Sequence, residues 1–516
     1  MARPDKKSVL LLLVCTALIA YLLINTGFVS DDFDSMARLR GKNFWRVLTF
    51  KENFSVSEAP IGYFTHQIWY CFFRVHDTPI SNALKIFYIL VSFYLISRFF
   101  SIYVAPKKAY LISFLFIFFP SHDATVYWFM GQYFTVLFAL YLYAFYLAHN
   151  NKLLPAFFLA VLASFIAYGS TPLAIALFLL FALNKEYKKG TIILVPNILF
   201  MGYYFILTKI LRVVTDKTLM AGEFNLFSII KQFMLQILTF ADAVLGPSMW
   251  LKVYYSFSQM RPISLVIGMV FIVIFYKKFR EDKSRIDPNL LKCFATLAFL
   301  SFAMFAVTGH YPQLTFNLGN RVTIFGALIF VYILVILPLS HKFRTLVFAM
   351  IIFTTLGVSD HWKNWSIHQQ KIVSNIKNNA GLRNYRDEKI IYVSGNQYSK
   401  YGPISHIEFL SEGATTVSVF HLALKKDIFA HPLSKRHVYK DGYLVDTKYK
   451  NIKDKVDDYI PVYDSENDLF FKLKVADINS YIETLPPANR HWIQMVNIKF
   501  VKDLAKRLMP RLKYAF

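Results

Sequence analysis

Long apolar runs recur along this chain and constrain its fold more than any other feature. They fall at about residues 9–24, 83–103, 109–120, 129–148, 154–168, 172–184, 191–210, 262–276, 290–307, 321–338 and 345–358. A run of roughly 18 or more apolar residues is a candidate transmembrane helix, because the bilayer core needs about 20 residues at the helical rise. The composition agrees: 56% of the 516 residues are hydrophobic, with 52 Phe and 32 Tyr. The expected fold class is therefore a polytopic α-helical membrane protein, with eleven crossings if every run spans.

Charge orients the chain. The turns that alternation places inside carry Lys107 and Lys108, Lys152, Lys185, Lys188 and Lys189, the cluster from Lys277 to Arg285, and Lys342 with Arg344. The short turns placed outside, 121–128, 169–171 and 308–320, contain no Lys or Arg. This is the positive-inside pattern, and it puts the N-terminus in the cytoplasm and the C-terminus outside. It also accounts for much of the +25 formal charge without nucleic acid as a partner. The first run lacks small-residue cleavage chemistry after it, so an uncleaved first helix is expected. Only Cys15, Cys71 and Cys293 occur, with no disulfide framework and no metal-ligand spacing.

Two longer segments also fall outside. In 29–82, Ile61 to Phe73 is aromatic-rich and too short to span, which suits a helix lying in the interface. In 211–261, Phe227 to Leu245 reads as a re-entrant or interfacial helix; two further spans there would preserve the parity. From Ser359 the long apolar runs cease. The division expected is a membrane module over 1–358 and an extracytoplasmic α/β domain over 359–516. In that domain Glu388–Gly395 and Asp468–Val475 have strand character. His491 to Leu508 is amphipathic, fit either to dock on anionic headgroups or to pack on its own domain.

Three places could carry chemistry. Gly27-Phe28-Val29-Ser30-Asp31-Asp32-Phe33-Asp34 follows the first apolar run and holds three carboxylates. Ser30 suits an N-cap, acids in a first turn suit the helix dipole, and Asp34 can pair with Arg38 four residues on. Two adjacent acids at the mouth of a helix bundle also suit a general base and its neighbour. The second place is the external turn with His122 and Asp123, candidates with Asp34 for binding an acceptor or a cation. The third is His310, Tyr311 and Arg321, on the same expected side; an Arg there either snorkels to headgroups or grips a ligand phosphate.

The order of these parts resembles the GT-C glycosyltransferases. The resemblance covers roughly residues 8–185. It rests on the acidic pair after the first helix and on Ala59-Pro60-Ile61-Gly62-Tyr63, with Phe72-Phe73-Arg74-Val75-His76-Asp77-Thr78-Pro79 beyond it. It rests also on Phe118 to Tyr133, which is similar to the family's P-x-H-x-E-x-V-x-W-x-x-G-R stretch. Departures are plain: Asp123 precedes by one the usual place of the acid, Gln132 replaces a common Arg, and Ala167–Pro172 lacks a Lys-Glu pair. The resemblance implies a polyprenyl-phosphate sugar donor in the membrane, a glycan or glycolipid acceptor outside, and inversion at the sugar carbon. In size and layout the chain looks most like the serotype-converting glucosyltransferases of O-antigen in a bacterial inner membrane. Asp31 or Asp32 would be the base, and Arg321, His310 and Tyr311 would face the donor phosphate. No cofactor is required; Asp31, Asp32 and Asp123 offer hard oxygen ligands should a divalent cation bind. A lipid-linked oligosaccharide polymerase or ligase, and a lipid-linked sugar flippase, are the competing readings.

Overall fold

Apolar runs that cannot hydrogen-bond to lipid must satisfy their own backbone, and a helix does this within one segment. A computed structural model describes residues 6–48, 59–75, 79–167, 169–210, 226–278, 286–308, 312–386, 389–447, 453–487, 490–496 and 498–508. Most of these residues are helical, and a small strand region lies near the C-terminus.

Six helical stretches among the described residues are long and apolar enough to cross a membrane: Pro79–Phe100, Tyr187–Ile210, Leu226–Gln259, Pro288–Val307, Leu318–Ile336 and His341–Asn378. Other expected runs also form helices but come up short. Pro106–Ile117 and Leu153–Ser164 have 12 residues each and Ser170–Leu183 has 14. At about 1.5 Å per residue, each alone falls well under a bilayer core of about 30 Å. Leu226–Gln259, expected outside, qualifies as a span by length and composition. It is two helices, Leu226–Val244 and Pro247–Gln259, parted at Leu245-Gly246, where Pro247 opens the second.

The helix His341–Asn378 has 38 residues. Its start is capped by Ser340 Oγ, which accepts from the Phe343 N–H at 3.4 Å. It runs without a break through 358/359, where the composition changes. The change at Ser359 therefore falls inside one helix that is buried on both sides of it, and no linker lies there. Asp360, His361, Trp362 and Lys363 are all buried on that helix, among partners from other elements.

The strand region packs against its far half. A four-stranded sheet has the order β4-β1-β8-β9, from β4 (Ala430–Pro432), β1 (Ile391–Ser394), β8 (Tyr459–Asp464) and β9 (Leu469–Lys474). The first three run parallel and β9 runs antiparallel, with Tyr463 opposite Phe470. Strands β1 and β9 lie within the two stretches expected to be strands. A hairpin, β2 (Tyr398–Tyr401) with β3 (Ile404–Glu408), and a meander of β5 (His437–Lys440), β6 (Tyr443–Asp446) and β7 (Lys453–Lys455) complete it. The amphipathic stretch 491–508 divides into a short 3-10 turn, Trp492–Met495, and a helix, Lys499–Leu508. Trp492 Nε1 donates to Asp242 Oδ2 at 3.2 Å, and Lys231 Nζ to the Arg507 carbonyl at 3.1 Å, so both pieces touch the helix Leu226–Val244. The interfacial stretch after Ala59 is a helix, Pro60–Thr65, and a 3-10 turn, Gln67–Cys71.

The helix Pro247–Gln259 lies close along His341–Asn378. At Gly357 a Cβ would collide with the Ser256 backbone carbonyl, so the two helices meet there through backbone. Gly357→Leu should cost about 1–3 kcal/mol or more by overpacking. Gly202→Leu, a helical glycine with open space around it, should cost little. Thermal melts of both variants in detergent check this: only the Gly357 variant should melt several degrees lower.

Candidate functional site

Helix α1 (Lys6–Leu23) hands over to helix α2 (Asp31–Leu39) within a few residues. Asn25, Gly27 and Ser30 all have positive φ (61°, 69° and 44°), which reverses the chain sharply. Gly27 also lies so close to Ser366 on the long helix that any Cβ would clash. Lys85, fully buried on Pro79–Phe100, donates to Thr26 Oγ1 (3.2 Å), to the Gly27 carbonyl and to the Tyr127 carbonyl (2.8 Å). One ammonium thus ties the 24–30 turn to the 120–128 turn. Ser30 stands at the N-cap position but makes no capping bond. Its hydroxyl instead lies 3.3 Å from both Asp31 Oδ1 and Glu408 Oε1.

Asp31 and Asp32 are adjacent and have opposite surroundings. Asp32 is 0% exposed. It accepts from the Val29 N–H (3.0 Å), from Trp128 Nε1 (3.1 Å) and from the Tyr70 hydroxyl. Burial pushes its carboxyl up to about 6, against the pull of Lys85 and these donors. Asp31 is exposed. The protein packed around it raises its carboxyl above the usual range, while Arg321 pulls the other way. Asp34 pairs with Arg38 at 2.9 Å, as the spacing predicts, and Ser418 Oγ reaches it at 3.3 Å. The helix carrying Ser418, Gly413–Leu424, packs on α2, so the C-terminal domain forms one wall of this rim.

Arg321 belongs to a 3-10 turn, Leu318–Thr323. Its guanidinium lies 5.2 Å over the Trp128 ring, a cation–π distance, and donates to the Leu318 carbonyl at 3.3 Å. Trp128 in turn holds Asp32. A continuous path, Arg321–Trp128–Asp32–Tyr70, therefore backs the exposed Asp31. His310 and Tyr311, expected beside Arg321, lie outside the described residues.

His122 and Asp123 do not open onto this rim. His122 is 0% exposed, with Nδ1 2.9 Å from Thr125 Oγ1 and its ring beside Phe116 and Phe119. Burial lowers its basicity to about 4. Asp123 is 3% exposed and fully engaged. Oδ1 accepts from Lys252 Nζ (3.0 Å) and Asn320 Nδ2; Oδ2 accepts from Trp362 Nε1 (2.9 Å) and His406 Nε2 (2.8 Å). A carboxylate offers about four lone-pair sites, so no room is left for a ligand hydroxyl or a cation. Burial alone would raise its pKa, but Lys252 and His406 outweigh that and hold it well below the usual range. Asp123 is a structural tie in place of the expected binding group. Among the described residues no three His, Cys, Asp or Glu side chains form a metal-holding set.

Lys85, Lys252 and His406 escape the sequence reading. The two lysines had a signal, since a single charge inside an otherwise apolar stretch marks a buried partner. His406 and Glu408 had none, because only the fold brings β3 to α2.

Removing one member of a buried pair leaves the other charge stranded, at a cost of about 3–5 kcal/mol. Asp123→Ala strands Lys252, whereas Lys252→Met leaves Asp123 its three other donors. The alanine variant should therefore lose more folded protein, read by thermal unfolding and by monodispersity in detergent. Equal melting of wild type and Asp123→Ala would show that the tie does not hold the fold. Compared with known proteins, the chain matches no family model and no curated protein.

Proposed function

We propose that this protein is a membrane glycosyltransferase of the GT-C kind. It moves a sugar from a polyprenyl phosphate to an acceptor hydroxyl outside the cytoplasm, with inversion. The observation that carries the reading is the Asp31 rim. One carboxylate is open to solvent, its neighbour is buried and fixed, and an arginine biases the open one electrostatically. The Lys and Arg asymmetry supports a cytoplasmic N-terminus and an external C-terminal domain, and we place the chain in a bacterial inner membrane.

In the reaction the acceptor oxygen attacks the anomeric carbon. The bond from that carbon to the phosphate oxygen breaks, and the phosphate leaves with the electron pair. Asp31 takes the hydroxyl proton as general base. The leaving phosphate is an anion, so it needs positive charge and no acid; Arg321 supplies that charge. Asp32 positions Asp31 by fixing the first turn of α2 through Val29, Tyr70 and Trp128.

The flippase reading draws on buried charges within candidate spans, Lys85 and Lys252. Both are bonded to backbone carbonyls of neighbouring turns, as clamps would be. The enzyme reading is therefore preferred. A covalent glycan product, assayed in proteoliposomes with polyprenyl-phosphate glucose as the probe donor, separates the two. If Arg321→Gln abolishes transfer and Asp31→Asn does not, the polymerase or ligase reading replaces this one.

Asp31→Asn should lower kcat by about 10²–10⁴ while the variant still folds. A general base works only when deprotonated, so the rate falls as pH drops through its pKa. That pKa is raised, so the acid limb of the pH–rate profile should lie above the ordinary carboxylate value of about 4. Arg321 favours the charged form, so Arg321→Gln should move the limb further up. A limb that stays in place in that variant would remove Asp31 as the titrating group.

A further inference from the structure

A cleft of about 410 Å³ lies in the C-terminal domain, away from the Asp31 rim. Its walls are the β2–β3 hairpin, the turn after β1, the corner after β4, and the segment from Leu485 to Pro487 with Arg490. The volume falls in the range of small-ligand pockets.

Two of its side chains are more than nine-tenths buried and hold a polar atom with no partner. Gln397 is 5% exposed and its Oε1 accepts nothing; Ser434 is 3% exposed and its Oγ is unpaired. Gln397 cannot turn to relieve this at no cost, because its Nε2 donates to the Leu433 carbonyl at 3.2 Å. Each such orphan costs about 1–3 kcal/mol unless a ligand satisfies it. Both residues line one cavity; the two orphaned atoms lie just behind its surface, closed to solvent, so a hydroxyl reaches them as the lining side chains part: Gln397 Oε1 accepts from one, and Ser434 Oγ donates or accepts. Lys400 and Arg490 are exposed at the same cleft, and among the described residues no Asp or Glu lines it; Glu466, behind Asn396, is taken up by that residue's N–H at 3.2 Å. The charge selects an anion. Leu433, Leu485 and three prolines provide apolar wall for the C–H face of a ring.

We infer that this cleft binds an acidic saccharide, a sugar ring that carries a carboxylate or a phosphate. The hydroxyls meet Gln397 and Ser434, and the acidic group meets Arg490 and Lys400. The site does not depend on the transferase reading, since no Asp31-rim residue lines it. Its position is still pertinent. The hairpin that supplies Tyr398, Lys400 and Ser405 to the cleft places His406 on Asp123 and Glu408 beside Ser30. A saccharide held there lies one hairpin from Asp31.

The test is calorimetry on the full chain in nanodiscs, with trigalacturonic acid, glucose 6-phosphate, maltotriose and inorganic phosphate as separate probes. At least one of the two acidic sugars should bind saturably, and which one does identifies the acidic group. Maltotriose and inorganic phosphate should bind about tenfold or more weakly. Arg490→Gln and Ser434→Ala should each raise Kd for the acidic sugar about tenfold or more, and neither should lower the melting temperature. The inference is overturned if neither acidic sugar binds, if maltotriose or phosphate binds as tightly, or if neither substitution changes Kd. Sugar transfer measured on the same preparation reports on Asp31 separately, so the two proposals fail independently.

Discussion

A single buried carboxylate holds the parts of this molecule in register. Asp123 accepts from Lys252, Asn320, Trp362 and His406, which come from four different elements. Those elements include a helix that qualifies as part of a span, a 3-10 turn, the long helix His341–Asn378 and strand β3. A charge is tolerated at such depth only when it is paired and its lone pairs are filled. That requirement is what makes the tie specific. Displace any one element and the carboxylate loses a donor that water cannot easily replace. His406 adds direction: its Nδ1 accepts from the Asn317 N–H at 3.1 Å, so the ring proton sits on Nε2 and points at Asp123.

From that tie the environment of the acidic pair follows. Trp128 begins just after the Asp123 turn, and Trp128 both donates to Asp32 and underlies Arg321. Lys85 then joins the Tyr127 carbonyl to the Gly27 carbonyl. Consecutive residues of a helix point about 100° apart. With α2 clamped from one side by these contacts, Asp32 must face inward and Asp31 outward. The contrast between a buried acid and an open one is therefore a consequence of how the turn is fixed, and needs no special property of the Asp-Asp sequence.

Periodicity carried the coarse architecture well: apolar runs became helices, and 391–394 and 469–474 became strands inside the stretches expected. The Asp34–Arg38 pair also followed from spacing alone. Crossing length did not, because several runs are only 12–14 residues once folded. The expected break at 358/359 falls inside one continuous helix, for an instructive reason. Composition reports the surroundings of a residue, and one helix can pass through two surroundings. His122 and Asp123 looked like a rim pair because nothing local distinguishes a solvated acid from one with four distant donors. Lys252 lies 129 residues from Asp123 and His406 lies 283 away. Separations of that size leave no trace in a local pattern.

The β2–β3 hairpin is where these separate threads meet. Its residues touch the cleft through Ser405, the tie through His406 and the rim through Glu408, three positions within four residues of one strand. Alternation along a strand sends successive side chains to opposite faces, so Ser405 and His406 serve different sides of the same ribbon. The ribbon itself is anchored on the helices: Tyr401 Oη lies 2.6 Å from Ser256 Oγ, and Ser399 Oγ lies 2.8 Å from His361 Nε2. It is not a loop free to swing. Whatever occupies the cleft is consequently held at a fixed distance from Asp31. That geometry is suited to presenting a long hydroxylated chain, one part gripped in the C-terminal domain while another reaches the open carboxylate.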